Sequence, residues 1–246
     1  MISVVILAGG RYDKELFEKC LDSVSWADEI IQVKTDRLKG SFAEWRNTGA
    51  KRAKGDWLLY VDTDEQVTPE LEAEIRRSTL EYDFNAYAIP RKNFIFGREF
   101  KHSGQWPDYQ KRLFRKKTFK SWSGKLHETA SYAGELGYLK NPLIHIKHKN
   151  LSEMVAKTND WSEVEAKLMF EAHHPPMNIR RFVGAIVREF WLRMIKQMAF
   201  LDGGEGIIYA MYQVFSRFVS YAKLWELQIG RDSNLRIHAN DPNGYK

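Results

Sequence analysis

Residues 58–71 read LLYVDTDEQVTPEL, an apolar run that stops on three acids, Asp62, Asp64 and Glu65, with a helix signal directly behind them. The run reads as a buried strand. Thr68 as cap and Pro69 at the first helical position begin a helix through TPELEAEIRR. In an extended segment Asp62 and Asp64 point to one side and Thr63 to the other. Carboxylates this close repel, so solvent, a basic side chain or a bound cation must compensate them. Oxygen ligands so placed suit Mg2+ or Mn2+ bridging to phosphate oxygens. The plain alternative is a pair of loop acids ahead of a helix.

The pattern on either side builds the same architecture. SVVIL, closed by Gly9 and Gly10, reads as a first strand. Leu16, Phe17, Cys20, Leu21 and Val24 then share a helical face. EIIQV gives a second strand, FAEWRNTGAKRAKG a helix ending near Gly55, DWLLYV the third strand and NAYAIP a fourth. Alternation of this kind predicts an α/β fold with a mostly parallel sheet covered on both faces. Ligands of such sheets sit beyond the carboxyl ends of the strands, where the three acids lie.

Bulk properties bound the function. The chain has 246 residues, enough for one substantial core with a smaller appendage. Hydrophobic residues make up 43% and charged residues 28%, which excludes a disordered chain. One cysteine, Cys20, excludes an internal disulfide and favours a reducing compartment. No basic leader precedes the first apolar run, so no secretory signal is expected. The formal charge of +6 suits an anionic partner without choosing among nucleotide phosphates, nucleic acid and acidic lipid.

The stretches ISVVILAGG, SWADEIIQV, RNTGAKRAKGDWLLYVDTDEQVTPEL, AIPRKNFIFGREFKHSGQWPDYQKRLFRK, WSGKLHETA, LKNPLIHIKHKN and the late FLDGGEGIIYAMYQVFSRFVSYAKLWE, in that order and over most of the chain, resemble a family-2 glycosyltransferase of the lipopolysaccharide-core β-glucosyltransferase branch. The resemblance implies a GT-A-type, Rossmann-like sheet flanked by helices with a C-terminal helical extension. Residues 1–150 would form the catalytic domain, with a nucleotide-sugar half to about 90 and an acceptor half beyond it. Residues 151–230 would be the extension and 231–246 a weakly ordered tail. The implied activity is inverting, metal-dependent transfer of a hexose from a nucleotide diphosphate sugar, a UDP-sugar first, to a hydroxyl of a glycan or lipid-linked acceptor.

The resemblance also assigns roles. Asp62 and Asp64 are its DxD-type pair, with Asp64 the better direct ligand to Mn2+ or Mg2+ and Asp62 reaching ribose, sugar or a metal-bound water. His127 is a third metal ligand or else a buried histidine fixed by a backbone bond, and Glu128 positions it or touches the acceptor. Glu65 is either behind the metal ligands or on the surface beside the helix. Asp108, on a loop behind Gly104 and Pro107, is the general base that takes the acceptor proton. Arg112 grips the donor phosphate, and Arg46 and Asn47 orient Asp62 or donor groups. Trp106 is an acceptor platform or a loop anchor. The second strand departs from the family, running QVKTDRLKG with Lys34 where an Asp is expected; Asp36 holds base or ribose, or else caps the next helix.

From Leu151 the period becomes helical. LSEMVAKTNDWSEVEAKLMFEA precedes a turn at His173, His174, Pro175 and Pro176, and NIRRFVGAIVREFWLRMIKQMAF forms the next helix, with Ile179, Phe182, Val183, Ile186, Phe190, Met194 and Met198 on its apolar face. GIIYAMYQVFSRFVSYAKLWEL is interrupted by charge and falls short of a membrane span. These helices suit an anionic membrane surface or packing against the catalytic domain or a dimer mate. The location expected is cytoplasmic, peripheral on the membrane face. No nucleic-acid fold is visible. The competing readings are a sugar-phosphate nucleotidyltransferase, suggested by Leu7-Ala8-Gly9-Gly10, and a noncatalytic carbohydrate-binding protein.

Overall fold

Three parallel strands begin the chain. The structure, a computed structural model, describes residues 1–9, 12–37, 40–81, 83–124 and 128–239. Strand β1 (Ile2–Ala8) lies between β2 (Glu29–Lys34) and β3 (Trp57–Val61), parallel to both. Helix α1 (Lys14–Ser23) follows β1, capped by the Asp13 carboxylate on Leu16 N–H. Helix α2 (Phe42–Arg52) follows β2 and opens with a capping box between Ser41 and Glu44. Helix α3 (Pro69–Glu81) starts at Pro69, as the sequence predicts.

The alternation of side chains along β1 and β3 produces two cores. Val4, Ile6, Leu59 and Val61 face one way, onto Cys20 and Val24 of α1 and Leu71 and Ile75 of α3. Val5, Leu58 and Tyr60 face the other way with Ala43 and Ala53. Both faces are therefore covered, which explains why β3 is buried along its whole length.

The sheet is completed by β4 (Glu65–Val67), β5 (Ala86–Ile95), β6 (Arg98–Glu99), β7 (Asp108–Arg115), β10 (Leu136–Tyr138) and β11 (Leu143–His148). Its main order is β2-β1-β3-β7-β5-β11-β4. β7 pairs antiparallel with both β3 and β5, so the fourth strand in sequence is not the neighbour of the third. A separate ribbon joins β8 (Phe119–Ser123) to β9 (Thr129–Tyr132). Phe114 of β7 is fully buried, with Tyr60, Phe119, Trp122 and Tyr132 rings around it.

The turn after β3 forces the sheet to curl. Three strands separate β3 from β4 in the sheet, yet only residues 62–64 join them in the chain. Four strand spacings in a flat sheet span about 19 Å, whereas Val61 to Glu65 reaches about 14 Å at full stretch. A tight bond from Glu65 N–H to Asp62 O shortens the link further. The ends of β3 and β4 must therefore meet across a bent sheet, bringing β5, β7 and β11 around the acids.

The chain divides into two compact units, one of residues 1–99 and 105–147, the other of residues 100–104 and 148–246. The second is helical: α4 (Leu151–Glu171), α5 (Ile179–Phe190), a π-helical turn (Trp191–Lys196), a 3-10 turn (Ala199–Asp202) and α6 (Gly203–Ala239). Buried Asp202 explains why residues 100–104 belong here, since it accepts from Lys101 N, His102 N and Ser103 Oγ at 2.9, 3.0 and 2.8 Å. The helix expected over 178–200 stops at Phe190. The Gln197 carbonyl, which a continued helix would use internally, accepts instead from Ser103 N–H, and Met198 turns left-handed at φ +49°. Helix α6 runs past Gly230, where a tail is expected, because no proline interrupts it before Pro242; residues 240–246 lie outside the described ones. None of the described helices is long and apolar enough to cross a membrane.

Truncating Phe114 to Ala should cost about 3–5 kcal/mol of stability in urea unfolding, because the cavity opens among rings that cannot collapse. A loss below about 1 kcal/mol would contradict this placement of the aromatic core.

Candidate active site

Three arginines compensate two of the three acids, Asp62 and Glu65. Arg112 on β7 is buried, and its Nη2 donates to both Asp62 Oδ2 and, at 2.7 Å, Glu65 Oε1. Arg46 on α2 takes the other Asp62 oxygen at 3.2 Å and pairs with Glu128 at 3.1 Å. Arg91 on β5 reaches Glu65 Oε1 at 3.2 Å and Asp108 Oδ2 at 2.7 Å. Cation and acid alternate from Glu128 through Arg46, Asp62, Arg112, Glu65 and Arg91 to Asp108, and strand register sets the last contact, with Arg91 opposite Asp108 across the β5–β7 ladder.

Burial alone would raise the Asp62 pKa, but Arg112 and then Arg46 outweigh it and hold the carboxyl well below the usual range. Burial also opposes charge on Arg112, and Asp62 and Glu65 reverse that, raising its pKa further. The same contest at Asp108 is won by Arg91, with hydrogen bonds from Asn93 and Gln110, so its pKa is lowered. Beneath the turn, Cys20 Sγ donates to Asp62 O at 3.3 Å. Burial, reinforced by Glu65, Asp62 and Asp64, pushes that thiol up to about 12, which leaves it inert as a nucleophile.

Asp64 has different company. Its Oδ2 lies 3.7 Å from His145 Nε2, and its carboxylate is about 35% exposed. The β4–β11 ladder sets Glu65 opposite His145, and Ile146 N–H donates to Asp64 O, which fixes this neighbourhood. Fully buried Asn93 fixes the imidazole. Asn93 Nδ2 donates to Gln105 O and Asp108 Oδ2, both at 3.0 Å, so its Oδ1 must face His145 Nδ1, 2.6 Å away. Nδ1 therefore carries a proton, and Nε2 is the ring nitrogen that faces Asp64. Two such donors 3.7 Å apart are spaced to share one cation at normal ligand distances. Among the described residues no group of three His, Cys, Asp or Glu gathers around a metal position.

A cavity of about 410 Å3 opens beside these arginines, lined among others by Arg46, Asp62, Arg112, Gln110, Trp122 and Glu128. Arg46 is steadied there by the Trp122 ring, 4.9 Å from its guanidinium carbon. Its volume lies in the range of small-molecule sites, and its lining is largely polar.

The expected site residues divide accordingly. Arg46, Asp62, Arg112 and Glu128 line the cavity. Asp62, expected to share the cation with Asp64, has each oxygen on an arginine instead. Asp108 is the first residue of β7 and pairs with Arg91, neither of the arginines that follow it in sequence. Asn47 is drawn away from the donor side: its amide brackets the Trp122 backbone, donating to O at 2.9 Å and accepting from N–H at 2.8 Å. Trp106 is 40% exposed in the loop before β7. Asp36 sits in a 3-10 turn (Thr35–Arg37) at the carboxyl end of β2. Gly9 allows β1 to pass there, since a Cβ would meet Thr35 Oγ1 at 2.0 Å. His127, Gly10 and Arg11 lie outside the described residues. Glu65 is fully buried, so the surface alternative for it is wrong. Sequence reasoning missed Arg91 and Asn93 altogether, and for His145 and His148 it offered only the end of a strand or, for one of them, the rim of the cleft. Arg91 and Asn93 stand at alternate positions of β5, but Lys92 between them hides any alternation in the sequence.

The family described as Glycosyl transferase family 2 matches residues 12–133. An uncharacterized glycosyltransferase of Rickettsia bellii is 26% identical over 244 residues, covering 86% of this chain and 82% of its own. One from Rickettsia typhi is 25% identical over 231 residues, covering 85% and 77%. Among solved structures, S. aureus TarS 1-349 in complex with UDP-GlcNAc is 14% identical with a TM-score of 0.42, covering 94% of this chain and 92% of that one.

Replacing Arg112 by Met leaves Glu65 and Asp62 short of charge and should cost about 3–5 kcal/mol near neutral pH. The lowered carboxyls add stability that is complete above the unfolded value, near 3.9, and is lost as pH falls below it. Stability measured from pH about 6 down to about 2 should therefore fall less steeply in R112M than in the wild type. Equal slopes would remove Arg112 as the main cause of the Asp62 shift.

Proposed function

We propose that this chain, whose residues 12–133 match the Glycosyl transferase family 2, performs an inverting transfer of a hexose from a nucleotide diphosphate sugar, a UDP-sugar first, to a hydroxyl of a glycan or lipid-linked glycan. The enzyme works at the cytoplasmic membrane face. The observation that carries the reading is the cavity beyond the carboxyl end of β3, where Arg46 and Arg112 stand beside Asp62. Guanidinium groups there meet the two phosphates, while Asp62 keeps both arginines oriented. The residues fit a divalent ion, Mn2+ or Mg2+, held by Asp64 and His145. Such an ion supplies positive charge against the departing diphosphate.

The acceptor hydroxyl loses its proton to a carboxylate as its oxygen bonds to the anomeric carbon. The bond from that carbon to the diphosphate oxygen breaks, and the diphosphate leaves with the electron pair. Asp108 is the base in this reading, ionised and held in place by Arg91, Asn93 and Gln110. A second assignment, Glu128, is favoured by its position on the cavity wall. The depressed pKa of Asp108 makes it a weak base, so leaving-group stabilisation must supply much of the rate.

The test is release of nucleoside diphosphate from a panel of nucleotide sugars, with Mn2+, Mg2+ or chelator, followed by the anomeric configuration of the product. Metal-dependent turnover of one donor with inversion is expected. Asp108→Asn should keep donor binding and lose transfer by on the order of a hundredfold or more, whereas the loss appearing only in Glu128→Gln would move the base. Formation of a nucleotide sugar from sugar phosphate and nucleoside triphosphate, with no transfer, would replace this reading by nucleotidyl transfer.

A further inference from the structure

Within the helical unit, α5 and α6 carry large apolar side chains that are exposed among the described residues. On α5, Phe182, Ala185 and Ile186 turn inward with Glu189, and the Phe182 ring packs 6.0 Å from Phe218 on α6. The opposite side presents Ile179, Val183, Val187 and Trp191 to solvent, with exposures of 75, 51, 60 and 54%. The spacing of four residues keeps them in one stripe along the helix. On α6, Ile208, Met211, Phe215 and Phe218 extend the exposed apolar area at 50, 48, 45 and 44%.

The charge beside this stripe has one sign. Residues 179–198 contain Arg180, Arg181, Arg188, Arg193 and Lys196, with Glu189 the sole acid. Glu189 is buried and taken up by Arg193 at 2.8 Å and Arg217 at 3.7 Å. Arg180, Arg181, Arg188 and Lys196 are exposed. Arg181 and Arg188, two turns apart, also line a cavity of about 320 Å3 with His174 and Tyr221. Helix geometry sets that basic side next to the apolar stripe, not opposite it.

We propose that this face of α5 and α6 is a docking surface for an anionic phospholipid bilayer, with the Arg181–Arg188 cavity receiving a headgroup phosphate. The apolar stripe enters the acyl boundary while the arginines stay at headgroup depth, which is the geometry of an interfacial helix. Guanidinium groups match phosphate in this role. A second copy of the chain is the poorer occupant, because a two-fold contact through the stripe brings the same basic residues together. The surface lies on a membrane without crossing it, since no described helix reaches that length and apolarity.

Cosedimentation of the full chain with vesicles of phosphatidylcholine alone, and of phosphatidylcholine mixed with phosphatidylglycerol, tests this separately from any sugar transfer. Binding should require phosphatidylglycerol and weaken with salt. The pair Arg181→Glu and Arg188→Glu should reduce affinity by on the order of tenfold or more, and Val187→Asp should reduce it while preserving the far-UV helix signal. Absence of binding to the mixed vesicles would overturn the proposal. So would a wild-type dimer in sedimentation velocity that Val187→Asp converts to monomer without changing vesicle binding.

Discussion

One guanidinium, that of Arg112, is shared between Asp62 at the end of β3 and Glu65 at the start of β4. The sheet curls to let these strands meet, and the curl places a fully buried carboxylate, Glu65, within a few ångströms of Asp62 on the cavity wall. Without a fixed cation the turn would carry uncompensated buried charge, at a cost of several kcal/mol. Arg112 comes from β7, the strand that separates β3 from β5. The antiparallel insertion and the acidic turn are therefore one solution: the inserted strand delivers the charge that the turn demands.

This arrangement divides the acids by task. Asp62, Glu65 and Asp108 are neutralised by Arg46, Arg91 and Arg112, so they are rigid and remain ionised where their pKa is depressed. Asp64 faces an imidazole whose tautomer Asn93 sets. Asn93 touches both that imidazole and Asp108, so one buried amide spans the cation side and the proposed base side of the site. Such fixed hydrogen bonding favours function by holding groups ready before substrate arrives.

The parallel half of the fold was legible because it rests on local signals. β1, β2 and β3 are apolar runs closed by turn residues, and α3 begins where Thr68 and Pro69 announce it. Asp62 and Asp64 could be found because they follow a buried strand at alternate positions. Their partners could not be paired from the sequence, since Arg91, Arg112 and His145 arrive through strand register across as many as 81 residues, the separation of Asp64 from His145. Asn47 misled for a related reason: its amide satisfies the Trp122 backbone, a need created only when the β8–β9 ribbon packs on α2. The helix over 178–200 failed at its far end because residues 100–104 compete for the Gln197 carbonyl, a contact that helical periodicity does not record.

Manganese electron paramagnetic resonance on the full chain with nucleoside diphosphate present tests the division of labour most directly, since the free-ion signal falls as the ion is bound. The account predicts that His145→Ala weakens Mn2+ binding by on the order of a hundredfold, as loss of a ligand should, while Asp62→Asn leaves it within a few fold. Binding that survives His145→Ala and vanishes in Asp62→Asn would put the ion on the arginine-bound acid and contradict the account.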